Sequence, residues 1–175
     1  MKLTQIVASL FIIILSPIFL IMTIIPFFFN GKKVFFKQIR LGKNKNFFTI
    51  LKLKTMTDGK ITSLGKVLRN LALDELPQLI NIARGEMNFI GPRPLTLYDV
   101  KRLGWNDKYH FKRWSVKPGI TGLAQLSPVC NKKISWQKDS FYVDNHNFKL
   151  NLTILIRSLL IPIFGKNKLS KLNRK

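Results

Sequence analysis

Cysteine is almost missing from this chain. Cys130 is the single one in 175 residues, so no internal disulfide can form. Histidine is nearly as scarce, with His110 and His146 alone, which excludes a zinc site built from Cys and His. The acidic residues number eight: Asp58, Asp74, Glu75, Glu86, Asp99, Asp107, Asp139 and Asp144. Metal binding or acid–base chemistry must draw on these, and only Asp74 and Glu75 are adjacent. No charge of either sign occurs from Leu3 to Gly31. Internal repeats are absent, and low complexity is confined to the two ends.

What is plentiful is positive charge beside apolar bulk. Lys and Arg total 30, the formal net charge is +22, and 46% of the residues are hydrophobic. Cationic self-repulsion opposes compaction, so an anionic partner is expected. Nucleic acid, an anionic membrane surface and a polyphosphate substrate are the three candidates. The part beyond Asn30 is long enough for one modest domain and too short for two.

The uncharged segment, LTQIVASLFIIILSPIFLIMTIIPFFF from Leu3 to Phe29, exceeds the about 20 apolar residues that cross a bilayer core. A cleaved signal peptide has a shorter apolar region and a small-residue cleavage site, and neither feature is present. Near its middle stand Ser16 and Pro17. Proline removes a backbone donor and kinks or breaks a helix, and a serine hydroxyl can serve a freed carbonyl. Two readings follow: a kinked spanning helix, or a helix-break-helix that enters one leaflet and returns. Lys32, Lys33, Lys37, Arg40, Lys43 and Lys45 come after the segment, against Lys2 before it. The positive-inside rule therefore puts Asn30 onward on the cytoplasmic side under both readings.

The remainder divides by pattern. Val34–Gln38 and Phe47–Leu53 flank the turn-rich Gly42–Asn46 and predict a β-hairpin. A helix is predicted over Leu64–Leu73, and another from Asp74 to Arg84, stopped by Gly85. Gly91-Pro92-Arg93-Pro94 reads as a rigid extended loop, Leu97–Tyr109 as a helix and Lys117-Pro118-Gly119 as a turn. Leu150–Ile161 is apolar with one charge, too short to span comfortably, and reads as an interfacial or core helix ending near Pro162. Residues 166–175 form a basic tail suited to anionic lipid. The expected division is a membrane segment 1–29, a catalytic domain 30–165 and the tail.

Two constellations can carry chemistry. Asp74 precedes Pro77, which suits the first turn of a helix, so Asp74 can be a simple N-cap and Glu75 a complement to the helix dipole. The sharper reading is a paired carboxylate that holds Mg²⁺ together with substrate phosphates, or a carboxylate nucleophile. In Gly91-Pro92-Arg93-Pro94 two prolines hold the backbone around one arginine, and a preorganised guanidinium grips phosphate bidentately. Lys52 and Lys54 alternate and should share a face. Trp105, Trp114 and Trp136 are taken as core.

In order along the chain, several blocks resemble the small monotopic phosphoglycosyl transferases of bacteria. They are Ser16-Pro17, Val34–Gln38 with Arg40 and Gly42, Phe48–Met56, Leu73-Asp74-Glu75-Leu76-Pro77-Gln78-Leu79, Gly91–Leu95, Lys117–Gln125 and Asp139–Asn145. The resemblance spans nearly the whole chain. It implies an α+β fold: a re-entrant membrane helix-break-helix, a β-hairpin and a small, mostly helical domain with interfacial amphipathic helices. It also implies an enzyme at the cytoplasmic face of the inner membrane, moving a sugar-phosphate from a UDP-sugar to polyprenyl phosphate. Asp74 would be the nucleophile, and Glu75 would assist with Mg²⁺. Lys52, Lys54, Arg69, Arg93, Lys117 and Asp139 would bind substrate. Membrane lipid is then an expected partner and nucleic acid is not. The rival class, a non-catalytic basic membrane scaffold or nucleic-acid binder, would have no need of Asp74. The stretch Ser127–Lys133 departs from the family's Asn-Gly-Arg-like turn, which bears on which sugar is used.

Overall fold

The computed structural model describes residues 3–18, 20–21, 23–24, 34–129 and 131–164. Cys130, the basic tail 166–175 and the end of the membrane segment, residues 25–29, lie outside them. The chain forms two units, Met1–Ile39 with Thr49–Gly85, and Arg40–Phe48 with Glu86–Lys175. The hairpin strands β1 (Phe35–Leu41) and β2 (Phe47–Leu53) run through both, their bases in the first and their tip in the second.

In the first unit, α1 (Leu3–Ile14) packs on α3 (Gln78–Ala83). Ala8 and Ile82 are fully buried, and the Gln5 Nε2 donates to the Ala83 carbonyl at 3.2 Å. The other sides of α1 leave Leu3, Leu10, Ile13 and Ile14 exposed. The helix stops where the sequence asks it to. Pro17 has no N–H for the carbonyl of Ile13, four residues back, and the Ser16 hydroxyl donates to that same carbonyl at 2.7 Å. Leu15 is a turn, and helical backbone resumes at residues 16–18. Among the described residues no helix is long and apolar enough to cross a membrane.

The first unit continues through the two-residue strands β3 (Met56–Thr57) and β4 (Lys60–Ile61) to α2 (Ser63–Asn70). Thr62 caps α2, its hydroxyl accepting from the Gly65 amide at 3.0 Å. Leu53 and Leu68 make a small core with Val34, Leu64, Leu73 and Leu76. The sequence reading had Asp74 cap a helix running to Arg84, and it does not. Leu73–Glu75 is a separate 3₁₀ turn, and Pro77 occupies the N-cap position of α3. Gly85, with φ +78°, does follow the helix end.

The second unit is built on β5 (Asn88–Ile90) and β6 (Gly119–Thr121), a parallel pair in the register Asn88 to Gly119 and Ile90 to Thr121. The predicted turn at Lys117-Pro118-Gly119 thus leads straight into a strand. Gly91 and Gly119 sit where an added Cβ would meet backbone atoms of the neighbouring segment, so only glycine allows this close pairing. The predicted Leu97–Tyr109 helix is two helices, α4 (Leu97–Leu103) and α5 (Lys108–Phe111). Gly104, left-handed at φ +67°, ends the first, and the Asp107 carboxylate starts the second by accepting from the His110 amide at 2.8 Å. The tryptophans are core as expected, packed with Leu41, Leu95 and Val100.

Two longer helices complete the unit, α6 (Lys132–Asn145) and α7 (Phe148–Phe164). The latter runs past Pro162, where the sequence reading ended it. Proline so near the end removes a single intrahelical bond, which a terminal turn tolerates. Ile154 is fully buried, and Ser158 hydrogen-bonds Thr121 of β6. Away from that contact Phe148, Leu152, Leu155, Ile156 and Leu159 are exposed, at the spacing of one helical face.

Candidate active site

The first unit gathers the carboxylate pair and three of its neighbours. Asp74 is buried in the 3₁₀ turn. The residue leading into that turn, Ala72, has left-handed backbone at φ 55° and ψ 20°. A residue with a Cβ rarely adopts that region, and such strain gathers at functional sites. Lys52 reaches from β2 to Glu75, Nζ to Oε1 at 2.5 Å, with side chains 17% and 24% exposed. Arg69 comes from the last turn of α2, and its Nε donates to the buried Thr55 hydroxyl at 2.8 Å. Thr55 is itself held, its carbonyl accepting from the Thr62 amide at 3.1 Å. The guanidinium is therefore aimed by a fixed partner.

These neighbours set the state of Asp74. Burial pushes its carboxyl above the ordinary carboxylate value, and the adjacent Glu75 charge pushes it the same way. Lys52 and Arg69 pull it back. Burial and the like charge therefore outweigh the two nearby cations at this carboxyl. Among the described residues no cluster of three or more His, Cys, Asp and Glu side chains could hold a metal ion.

Lys54, just past the end of β2, is half-buried, and its amide donates to the Val34 carbonyl at 2.8 Å.

The second unit holds the remaining predicted site residues. In Gly91–Leu95 only Arg93 is exposed; the other four are buried. The loop is anchored on every side. The Gly91 amide donates to the Thr121 carbonyl at 2.9 Å, and the Pro92 carbonyl accepts from the Gly119 amide at 3.1 Å. The Pro94 carbonyl accepts from Arg40 Nη1 at 3.1 Å, and the Leu95 carbonyl from the Leu41 amide at 2.8 Å. The Arg93 carbonyl accepts from Arg113 Nη2. Lys117 is half-buried in the turn before β6. Asp139, expected at the substrate, is 2% exposed and ion-paired to Arg113, Oδ2 to Nε at 2.7 Å. Burial pushes its carboxyl up against the pull of that guanidinium.

The sequence reading did not single out Arg113 or Thr55. Arg113 and Asp139 are 26 positions apart, and nothing local marks them as partners. The one available hint was an arginine beside a core tryptophan, Trp114.

Residues 2–165 match the model of the bacterial sugar transferase family. An uncharacterized sugar transferase, EpsL, of Bacillus subtilis is 37% identical over 91% of this chain and 87% of its own length. The exopolysaccharide production protein ExoY of Rhizobium meliloti is 30% identical over 87% of this chain and 80% of its own. A UDP-glucose:undecaprenyl-phosphate glucose-1-phosphate transferase of Klebsiella pneumoniae is 35% identical over 93% of this chain, which spans only 39% of that longer protein.

Proposed function

The chain belongs to the bacterial sugar transferase family, and from that membership we propose that it moves a sugar-1-phosphate from a UDP-sugar to polyprenyl phosphate. The observation that carries the reading is the buried Asp74 beside Glu75, with Lys52 and Arg69 acting on its charge. The Asp74 carboxylate attacks the β-phosphorus of the donor. A P–O bond to that carboxylate forms, the bond to the UMP oxygen breaks, and UMP leaves. An oxygen of the polyprenyl phosphate then attacks the same phosphorus and displaces Asp74, giving a polyprenyl diphosphate-sugar and the regenerated carboxylate. Phosphoryl transfer depends on positioning and on neutralising spread negative charge; Lys52 and Arg69 supply charge beside Asp74, and Arg93 is taken as a phosphate ligand.

Asp74 and Glu75 offer hard oxygen donors of the kind Mg²⁺ takes, one or two carboxylates with water and phosphate completing its shell. When bound, it would neutralise the diphosphate. Lys52, paired with Glu75 at 2.5 Å, orients it for that role, and Arg69 steadies the charge on Asp74.

The exposed apolar sides of α1 and α7 support attachment to a bacterial inner membrane, with the catalytic residues at the cytoplasmic face where a polyprenyl phosphate presents its head group. The break at Leu15, patched by Ser16, fits the re-entrant form of the first segment that we propose.

The test is UMP release by purified protein in detergent, with a panel of UDP-sugars, polyprenyl phosphate and MgCl₂. A donor that turns over, with parallel initial-rate plots and loss of activity in EDTA, supports the proposal. No UMP from any donor, or intersecting plots, would count against it.

A further inference from the structure

We infer that Arg113 and Asp139 form a buried positioning device that sets Arg93 for phosphate. The inference rests on the reading of Arg93 as a phosphate ligand. Pro92 and Pro94 each fix their own φ near −65°, and Pro94 disfavours helical backbone at Arg93; the peptide between Arg93 and Pro94 still needs a partner to hold it in one orientation. That peptide's carbonyl is the one Arg113 Nη2 holds. The same guanidinium donates from Nε to Asp139 Oδ2 at 2.7 Å. Its centre lies 5.6 Å from the ring centroids of both Trp105 and Trp114, each 1% exposed. Two of its nitrogens are thus bound to different acceptors while buried rings confine the group.

A neutral donor would have satisfied one carbonyl. A buried ion pair costs desolvation and is weak evidence of stability for its own sake. What a guanidinium adds is a rigid fork that holds two acceptors in fixed relation, which an ammonium cannot do. Arg113 is 3% exposed, so it is a positioning residue and not one that touches the donor. The same holds for Asp139, whose carboxylate faces Arg113.

The test reads binding of UDP, which carries the diphosphate common to the donors, by calorimetry on the full chain in detergent with MgCl₂. Arg93→Ala and Arg113→Lys are each expected to raise the Kd for UDP about tenfold. In the Arg93→Ala background, Arg113→Lys should add less than twofold, because Arg113 acts only through Arg93. Asp139→Asn should fall between wild type and Arg113→Lys. If Arg113→Lys leaves the Kd unchanged, or multiplies fully onto Arg93→Ala, the inference is overturned while the phosphate reading of Arg93 stands. If Arg93→Ala itself leaves the Kd unchanged, or wild type does not bind UDP, that reading fails first. Should Arg113→Lys not fold, the paired change Arg113→Met with Asp139→Leu removes both charges together. It is expected to fold and still to weaken UDP. A merely structural pair would reduce the fraction of protein that binds at an unchanged Kd.

Discussion

Replacing Lys52 by Met removes the cation that faces Glu75, and the structure bounds the cost. Exposed ion pairs are worth about 0–1 kcal/mol, whereas breaking a fully buried one costs about 3–5 kcal/mol. With side chains 17% and 24% exposed, the Lys52–Glu75 pair lies between these limits. A loss of about 1–3 kcal/mol of stability is expected. The double change Lys52→Met with Glu75→Gln should recover part of it, because no charge is then left stranded. A second effect falls on Asp74, whose raised carboxyl Lys52 helps to hold down. The nucleophile works as an anion, so activity falls as pH drops through its pKa. Losing a cation raises that pKa, and the acid limb of kcat/KM should move to higher pH. Glu75→Gln removes a charge that pushes Asp74 up, so any activity it retains should show the limb moved lower. Denaturant melts and pH profiles of UMP release read both effects. A Lys52→Met protein with unchanged stability and an unmoved acid limb would refute this account of the pair.

Two further changes test the architecture. Replacing Ser16 and Pro17 with Ala restores the missing backbone donor, so residues 3–24 should form one helix about 33 Å long at about 1.5 Å per residue, enough for a core of about 30 Å; labelling of a cysteine at position 2 in intact cells should then shift from cytoplasmic to external, and external labelling before the change would rule out re-entry. Gly119→Ala puts a Cβ within 3 Å of backbone at Ile90 and Gly91, so β5 and β6 must separate; a loss of about 3 kcal/mol is expected, and a variant with wild-type melting behaviour would contradict the described pairing.

How much of this was legible in the sequence differs by element. The hairpin was, because alternation and a Gly/Asn-rich turn lie within twenty residues of each other. So was the break at Ser16-Pro17, a local effect of one missing donor. The division of Leu97–Phe111 was written in Gly104 and Asp107, a stop followed by a cap, yet the helical pattern on both sides reads through it. The parallel pairing of β5 with β6 was not visible. Each strand has three residues, too few for periodicity, and their partnership depends on glycines far apart in the chain. The same contrast holds at the site. Asp74, Glu75 and Arg93 stand in motifs with their own local logic. The pairing of Lys52 with Glu75 and the hold of Thr55 on Arg69 come from tertiary packing. Asp139 is the instructive case: the resemblance assigned it to the substrate, and its pairing with Arg113, 26 positions away, is a feature nothing local in the sequence announces.

The central claim is that Asp74 carries the phosphosugar. Intact-protein and peptide mass spectrometry after incubation with the UDP-sugar that supports turnover, without acceptor, tests it most directly. The account predicts a single sugar-phosphate adduct on the peptide containing Asp74, discharged by added polyprenyl phosphate and lost in Asp74→Asn. Full turnover in Asp74→Asn, or UMP release that occurs only with acceptor present and leaves no adduct, would contradict it.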